Sequence, residues 1–301
     1  MIDRIDSWHR HRDAVRFRPT VKLALKTIDE RWSPPRDGTT DNPILIFSAG
    51  WRSGSTLLQR LALSSNEALI WGEPYPYSDY IRTMAASLTC FTPTTPPDQF
   101  FLAEPPGFKG VDPNTWTACM YPHPRHLVNA HRAFFWTLYR DPAIARGYSR
   151  WGLKEVVLST QEAAYLRWLF PNAKLIFLYR NPYDAYRSYR CFGDWYFRWP
   201  DSPVFTASSF GRIWRMLVDD FVAESHRLDG MLMRYEDLVS DPSTLIALSQ
   251  HLSTSVSSDV TARKVTGRAN AELPPIPRLE LLQLRRAVEP TASRLGYRQE
   301  S

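Results

Sequence analysis

The stretch "PILIFSAGWRSGSTLLQRLALSS", residues 43–65, passes from an apolar run through a turn of glycines and serines into a segment of helical period. A strand that ends at Gly50, followed by a helix that begins at Ser55, directs unpaired backbone amides and the positive end of the helix dipole at one point. Gly54 allows close approach of the backbone, and Ser55 and Thr56 add hydroxyl donors. The stretch therefore predicts a strand–loop–helix unit that binds an anion.

The spacing of this loop differs from that of the ordinary nucleotide-binding loop, which has four residues between its glycines and a lysine after the second. Here three residues separate Gly50 from Gly54, no lysine follows, and the cation Arg52 precedes the second glycine. A glycine turn between a strand and a helix is also common where nothing binds. The assignment therefore needs support from elsewhere in the chain.

The rest of the chain alternates short apolar runs with longer helical segments, which is the pattern of a mostly parallel sheet covered by helices. We therefore expect a three-layer α/β/α fold with a central, mostly parallel sheet of about five strands. The predicted strands are "ILIFSA" (44–49), "ALIWG" (68–72), "GLKEVV" (152–157), "AKLIFLYR" (173–180) and "MLMRYED" (231–237). The predicted helices are "GSTLLQRLALSS", "TQEAAYLRWLF" capped by Thr160, "PYDAYRSYRCF" and "FGRIWRMLVDDFVAESHRL".

One elaborated domain over residues 1–301, with its core motifs at 43–245, is the preferred organisation. The segment 91–125 is rich in proline and predicts a loop insertion over the carboxyl edge of the sheet. A second irregular segment, "RKVTGRANAELPPIPRLE" (263–280), precedes a final helix, and the two together span about 263–298.

The composition favours a soluble protein with an anionic ligand. The 37 basic residues give a net charge of +6 without forming a solid run, which suits an anionic ligand better than nucleic acid. The cysteines Cys90, Cys119 and Cys191 have no CxxC spacing, so they predict neither a disulfide framework nor a zinc site, and they fit a reducing cytoplasm. No apolar run approaches the length of a membrane span.

A second stretch, "FPNAKLIFLYRNPYDAYRSYR" (170–190), supports the first. It reads as a strand ending at Arg180 and a helix that starts with Pro182 in its first turn. Ser188 lies about two helical turns beyond Arg180, so the guanidinium and the hydroxyl could share a phosphate by charge-assisted hydrogen bonds. The alternative is an arginine at the sheet edge that pairs with Asp184, together with a solvated serine.

Together, "WRSGSTLL", "LFPNAKLIFLYRNPYDAYRS" and "MRYEDLVSDP" resemble, in order and spacing, the sulfotransferases that use 3'-phosphoadenosine-5'-phosphosulfate. The resemblance is to the bacterial and tyrosylprotein-like branch, covers roughly residues 43–245 and touches the closing "LGY". It implies this donor, adenosine 3',5'-bisphosphate as the product, and no metal. It also implies that the loop after the first strand binds the phosphosulfate, in the manner of a P-loop.

The resemblance also implies roles for individual residues. Arg52 takes the place of the catalytic cation, and Trp51 stands where the family usually has proline. The residues implied in donor binding are Arg52, Ser53, Gly54, Ser55, Thr56 and Leu57 of the loop, Arg180 and Ser188 at the 3'-phosphate, Tyr235 near the adenosine, and Lys264 and Arg268 in the second irregular segment.

The general base is predicted to be Glu73 in "LIWGEPYPY", because the tyrosylprotein and heparan branch carries a glutamate there. The alternative for Glu73 is a turn residue that caps the next helix. His123, His126 and His131 are further candidates for the base, since cytosolic sulfotransferases use a histidine. With no carboxylate or cysteine to complete a set, these histidines do not predict a metal site.

Lys154 in "WGLKEVV" is predicted to hold the sulfonate oxygens or the acceptor, with a Lys–Glu surface pair as the alternative. Two rival functions stay open. A kinase would show a lysine after Gly54 and a magnesium-binding aspartate at a strand end, for which Asp184 and Asp237 are poorly placed. A non-catalytic nucleotide-binding protein would lose Arg52 or Glu73. The sequence does not identify the acceptor, although a hydroxyl group is preferred to an amine. It does not identify the oligomeric state either, and a homodimer stays open.

Overall fold

The computed structural model describes residues 18–34, 40–73, 79–101, 120–191, 204–262 and 273–298. The predicted donor ligands Lys264 and Arg268 lie outside these residues, and so does most of the Pro-rich insertion.

The centre of the fold is a parallel sheet whose five strands lie in the order β2-β3-β1-β4-β5. All five residues of the central strand β1 are buried, as expected for a strand covered on both faces. The strands are β1 (Ile44–Ser48), β2 (Ala68–Trp71), β3 (Arg150–Glu155), β4 (Lys174–Tyr179) and β5 (Met231–Arg234). The predicted α/β fold and its five strands are confirmed, although β5 ends early because Tyr235 already begins a helix.

None of the helices within the described segments is both long enough and apolar enough to cross a bilayer. A π-helical turn, Trp136–Arg140, joins two of them. The α-helices are α1 (Val21–Trp32), α2 (Ser55–Leu63), α3 (Tyr80–Ser87), α4 (Pro124–Phe135), α5 (Asp141–Ile144), α6 (Thr160–Leu169), α7 (Pro182–Arg190), α8 (Ala207–Glu224), α9 (Tyr235–Ser240), α10 (Pro242–Leu252), α11 (Asp259–Ala262), α12 (Arg278–Val288) and α13 (Thr291–Arg294).

Helices cover both faces of the sheet, because successive side chains of a strand point to opposite sides. On one face Ile46 packs with Leu58 of α2 and Leu248 of α10. On the other face Phe47 stacks on Phe177 with ring centroids 5.4 Å apart, and Phe177 lies 5.0 Å from Phe221 of α8. These two cores give the three-layer architecture.

The cap of α6 lies one residue earlier than predicted. Ser159 is the N-cap in a capping box with Glu162, and Thr160 is the first helical residue. The amide and hydroxyl of Thr160 both donate to Asp220 of α8, at 2.7 Å each. The prediction chose the wrong neighbour because both serine and threonine are favoured at the N-cap, where serine is the better of the two.

The chain divides into two compact units, and the whole sheet belongs to the second, which comprises residues 40–79 and 135–301. The first unit comprises residues 1–39 and 80–134. Within it, Arg31 of α1 donates to the carbonyls of Thr92 at 2.7 Å and Pro96 at 2.6 Å. This guanidinium therefore holds the beginning of the Pro-rich segment against α1.

Candidate active site

The start of the loop between β1 and α2 is held by backbone hydrogen bonds to β4 on one side and to the residue that follows β3 on the other. The amide of Ala49 donates to the carbonyl of Leu178, and the amide of Gly50 donates to that of Val156, each at 2.8 Å. Gly50 and Gly54 have φ values of 81° and 92°, and Arg52 between them has a φ of 61°. The left-handed conformation of Arg52 costs about 1–2 kcal/mol, so the surroundings must hold it.

Two of the predicted loop ligands are engaged inside the protein. The buried hydroxyl of Ser53 donates to the carbonyl of Gly50 at 2.9 Å and lies 2.9 Å from the hydroxyl of Ser48. The amide of Leu57 donates to the carbonyl of Gly54 at 2.9 Å. Ser53 can therefore offer its backbone rather than its hydroxyl, and the exposed Thr56 is the better placed hydroxyl donor.

Tyr235, the first residue of α9, packs directly on the loop. A methyl group added at Gly54 would overlap the carbons of the Tyr235 ring. The guanidinium of Arg180 lies over the same ring, 4.4 Å from its centroid, as a cation–π contact. The structure thus brings together three predicted donor-binding residues, one after β1, one after β4 and one after β5.

Arg180 and Arg52 converge at the carboxyl end of β4. Arg180 Nη1 donates to the carbonyl of Arg52 at 3.1 Å, and Arg52 Nε donates to the hydroxyl of Ser188 at 2.9 Å. Desolvation, followed by the like charge of Arg180, lowers the pKa of Arg52, which is still protonated at neutral pH. Two guanidiniums this close together create a strongly positive site for anions.

The alternative role for Arg180, a pair with Asp184, does not hold. The Asp184 carboxylate instead lies 3.5 Å from Arg187 on the same helix. The Nε of Arg180 is buried and has no hydrogen-bond partner among the residues that the structure describes. A buried donor of this kind is costly unless a ligand or a water accepts from it.

The turn that carries Arg180 is held by a carboxylate that sequence reasoning missed. The amide of Asn181, the N-cap of α7, donates to Glu236 Oε1 at 2.8 Å, and the hydroxyl of Tyr297 donates to Glu236 Oε2 at 2.8 Å. Burial, and then the charge of Glu236, raises the pKa of Tyr297. The signal was present in the motif "RYEDL" and the closing "LGY", since their polar residues needed partners.

Lys154 and Glu73 form a short ion pair at the carboxyl ends of β3 and β2. The Lys154 side chain is only 6% exposed, and that of Glu73 is 23% exposed. A lysine is buried to this extent only when its charge is paired. Lys154 is therefore not a surface residue, and the predicted base and the predicted sulfonate ligand are neighbours.

The strand end that carries Glu73 is anchored by Trp71, whose indole Nε1 donates to the carbonyl of Tyr139 at 3.0 Å. Tyr139 lies in the π-helical turn Trp136–Arg140. Such turns are rare and are often found beside functional sites. Sequence reasoning did not find this contact, because the turn has no sequence signature of its own.

Residues 43–252, more than two thirds of the chain, match the model of the family described as the sulfotransferase family. The chain belongs to the sulfotransferase family. No curated protein gives a significant match to this sulfotransferase.

The chain is also similar to three solved structures that are described as sulfotransferases. The sulfotransferase domain of the Synechococcus PCC 7002 olefin synthase is 18% identical with a TM-score of 0.41, and covers 90% of this sulfotransferase and 100% of that domain. STF9 of Mycobacterium avium is 15% identical with a TM-score of 0.40, covering 94% and 83% of the two chains. Mouse SULT7A1, complexed with PAP, is 12% identical with a TM-score of 0.37, covering 92% and 83%.

The three histidines proposed as alternative bases lie in the first unit of this sulfotransferase, at the start of and within α4. His123 Nδ1 accepts from the amide of Arg125 at 3.3 Å, as expected near a helix start. Burial lowers the pKa of His131. Nothing in these contacts distinguishes one of the three as a base.

A cavity of about 220 Å³ lies on the side of α7 that carries Tyr186 and Tyr189. Its lining includes neither Arg52 nor Lys154, so the predicted reaction centre lies elsewhere on the sulfotransferase. The lining residues are Tyr186, Tyr189, Arg190, Val204, Phe205, Thr206, Ala207, Glu280 and Gln283.

Proposed function

We propose that this sulfotransferase moves a sulfuryl group from 3'-phosphoadenosine-5'-phosphosulfate to a hydroxyl, or as second choice an amine, of its acceptor by in-line displacement. The observation that carries the proposal is the convergence of Arg52, Arg180 and Ser188 beside the N-terminus of α2. A nucleotide with anionic groups at both its 5' and 3' positions requires cations and helix amides arranged in this way.

The residues present suit such a donor. The loop amides and the start of α2 would hold the 5'-phosphosulfate, and Arg180 with Ser188 would hold the 3'-phosphate. The buried Nε of Arg180 has no acceptor among the described residues, so an entering phosphate oxygen would supply one. Gly54 keeps the loop backbone in contact with Tyr235, where the adenosine is expected.

The bound donor supplies a sulfur–oxygen bond whose cleavage leaves negative charge on a phosphate oxygen. Arg52 at the loop neutralises charge that develops at that position, which is the electrostatic contribution that matters most in such transfers. Lys154 binds anionic oxygens at the carboxyl end of β3. Glu73 accepts the proton of the acceptor hydroxyl.

The ion pair between Glu73 and Lys154 links these two roles. The ammonium of Lys154 donates to one carboxylate oxygen of Glu73, so that oxygen is occupied while the pair is intact. An anion that draws Lys154 away from Glu73 therefore frees this oxygen to accept the proton of the acceptor hydroxyl. Binding of the donor and activation of the acceptor are coupled by this exchange of partners.

The relative affinities for three nucleotides distinguish the proposed sulfotransferase reaction from the two alternatives, a kinase and a non-catalytic nucleotide-binding protein. Calorimetric titration with adenosine 3',5'-bisphosphate, AMP and ATP should give the tightest binding for the bisphosphate, without magnesium and at least about tenfold tighter than for AMP. Magnesium-dependent ATP binding as tight as that of the bisphosphate would favour a kinase. Transfer of labelled sulfate to a panel of hydroxylated acceptors then separates an enzyme from a binding protein.

A further inference from the structure

Trp51 is the residue of the loop that departs from the proline expected there, and its indole is buried. Its side chain is 7% exposed, and its ring centroid lies 5.7 Å from that of Tyr189 at an interplanar angle of 36°. Tyr189 belongs to α7, the helix that follows Arg180. The indole therefore connects the loop after β1 to the helix after β4.

A second contact runs beside the first. Arg52 follows Trp51 in the loop, Ser188 precedes Tyr189 in α7, and Arg52 Nε donates to the Ser188 hydroxyl at 2.9 Å. Two adjacent loop residues thus contact two adjacent helix residues, one pair through rings and one through a hydrogen bond. Such a double contact fixes the separation of the two elements and also their relative rotation.

The helix end of this contact is itself firmly held. Tyr189 is 5% exposed, and its ring lies 5.1 Å from Phe210 of α8, at an angle of 43°. Phe210 in turn lies 5.2 Å from Tyr186. Trp51 therefore packs on a ring that has little freedom to move, and the loop takes its position from α7 and α8.

We propose that Trp51 is a positioning residue that sets the distance between the two phosphate sites, so that one ligand engages both at once. The inference rests on the proposed function, because the loop and α7 are the predicted sites of the 5' and 3' groups. A preformed spacing removes the ordering cost that a flexible loop would pay when both ends of a ligand bind. It gives no advantage to a ligand that uses only one site.

The backbone supports this role. Arg52 keeps its left-handed φ of 61° although it is not a glycine, and such a conformation persists only where neighbouring groups hold it. Trp51, the residue that precedes Arg52, is fixed by its buried ring. Arg180 Nη1 donates to the carbonyl of Arg52 at 3.1 Å and holds it from the other side. A proline at position 51 would lack the indole that contacts Tyr189.

Three ligands test the proposal by calorimetry: adenosine 3',5'-bisphosphate, which uses both sites, and 5'-AMP and 3'-AMP, which use one each. Trp51→Ala should weaken binding of the bisphosphate by about tenfold and that of each monophosphate by less than about twofold. Trp51→Phe, which retains a ring, should restore most of the lost selectivity. Tyr189→Leu should reproduce the pattern of Trp51→Ala and decides the test if that variant does not fold.

Trp168→Ala is the matched control, because Trp168 is 8% exposed and lies in α6, remote in sequence from the loop. It should lower thermal stability while the ratio of the three affinities stays at the wild-type value. Equal losses for all three ligands in Trp51→Ala, or no loss for the bisphosphate, would overturn the role of Trp51 alone. A wild-type protein that does not prefer the bisphosphate over 5'-AMP would overturn the proposed function, and this inference with it.

Discussion

Arg180 is the residue whose removal should distinguish the two phosphates of a nucleotide most clearly. It stacks on Tyr235, and its buried Nε needs an acceptor that a 3'-phosphate would supply. Arg180→Ala should weaken binding of the bisphosphate by about 1.5–3 kcal/mol, the contribution of a hydrogen bond to a charged group. Calorimetry with AMP should show almost no change.

Arg187→Ala is the control for Arg180, because Arg187 lies on α7, the helix that follows Arg180, and pairs with Asp184 at 3.5 Å. It removes a guanidinium close to Arg180 in sequence and should leave both affinities nearly unchanged. If Arg180→Ala weakened AMP and the bisphosphate equally, Arg180 would not bind the 3'-phosphate.

Glu73 is predicted to be the general base, and Glu73→Gln retains its shape while removing its basicity. Turnover should fall by about 10²- to 10⁴-fold, the usual contribution of a positioned base, with binding of the bisphosphate retained. From the sequence alone, stability is expected to change little in this variant, but the structure predicts a loss. The substitution leaves the buried ammonium of Lys154 without a counter-charge, and breaking such a pair costs about 3–5 kcal/mol at full burial.

The comparison for Glu73 is with His123→Ala, His126→Ala and His131→Ala, each assayed for sulfate transfer and for thermal stability. Near-normal turnover in Glu73→Gln, together with a loss in one histidine variant, would move the base to that histidine. A double variant, Glu73→Gln with Lys154→Met, should recover stability but not turnover, which separates the two effects.

Among the structural elements, the strand–loop–helix unit depends on Gly54 for two separate reasons. Its φ of 92° is unfavourable for any residue with a Cβ, and a Cβ would also overlap the Tyr235 ring. Gly54→Ala should therefore destabilise the fold and also weaken bisphosphate binding by at least about tenfold, since the loop or Tyr235 must move. Chemical denaturation and calorimetry measure the two effects.

Gly147→Ala is the matched control, because Gly147 has a φ of 86° and open space where its Cβ would lie. It carries the same backbone strain in a turn before β3, so stability should fall by about 1–2 kcal/mol while affinity is unchanged. Equal affinities in the two variants would show that contact between Gly54 and Tyr235 does not shape the site.

The elements that sequence could predict are those with a local cause. Strands β1 and β4 are buried and largely apolar runs, and such a run in an α/β chain has few alternatives to a central strand. The contacts that sequence could not predict are long-range choices of partner. Arg52 and Ser188 are 136 residues apart, and Trp51 with Tyr189 is a similar case, so only the folded topology brings them together.

At the scale of the whole molecule, the candidate site is assembled from the carboxyl ends of all five strands. Arg52 follows β1, Glu73 follows β2, Lys154 is the last residue but one of β3, Arg180 follows β4 and Tyr235 follows β5. In a parallel sheet these ends share one edge, so residues far apart in sequence become neighbours without any special loop. The sequence predicted which edge would carry chemistry, and the packing determined which side chains meet there.

We propose that residues 1–301 fold as one cooperative domain, and two half-buried histidines make this testable because each lies in a different compact unit. Burial lowers the pKa of His131 in the first unit and, against the opposing effect of the Leu175 carbonyl, that of His251 in the second. An unfolded histidine has a pKa of about 6.5, so the unfolded chain binds more protons below that pH. Stability from both residues is therefore present above pH about 6.5 and is lost as the pH falls from there towards the lower native pKa values, by up to about 1.4 kcal/mol per pH unit for each histidine.

Thermal unfolding between pH 7.5 and 5.5 should show one transition whose midpoint falls with the pH. His131→Gln and His251→Gln should each remove part of that fall, and the double variant most of it, because neither glutamine binds a proton. In a cooperative domain each substitution shifts the single transition, whichever unit contains it. Two transitions, each responding to only one of the substitutions, would show that the two units unfold independently and that the chain is not a single domain.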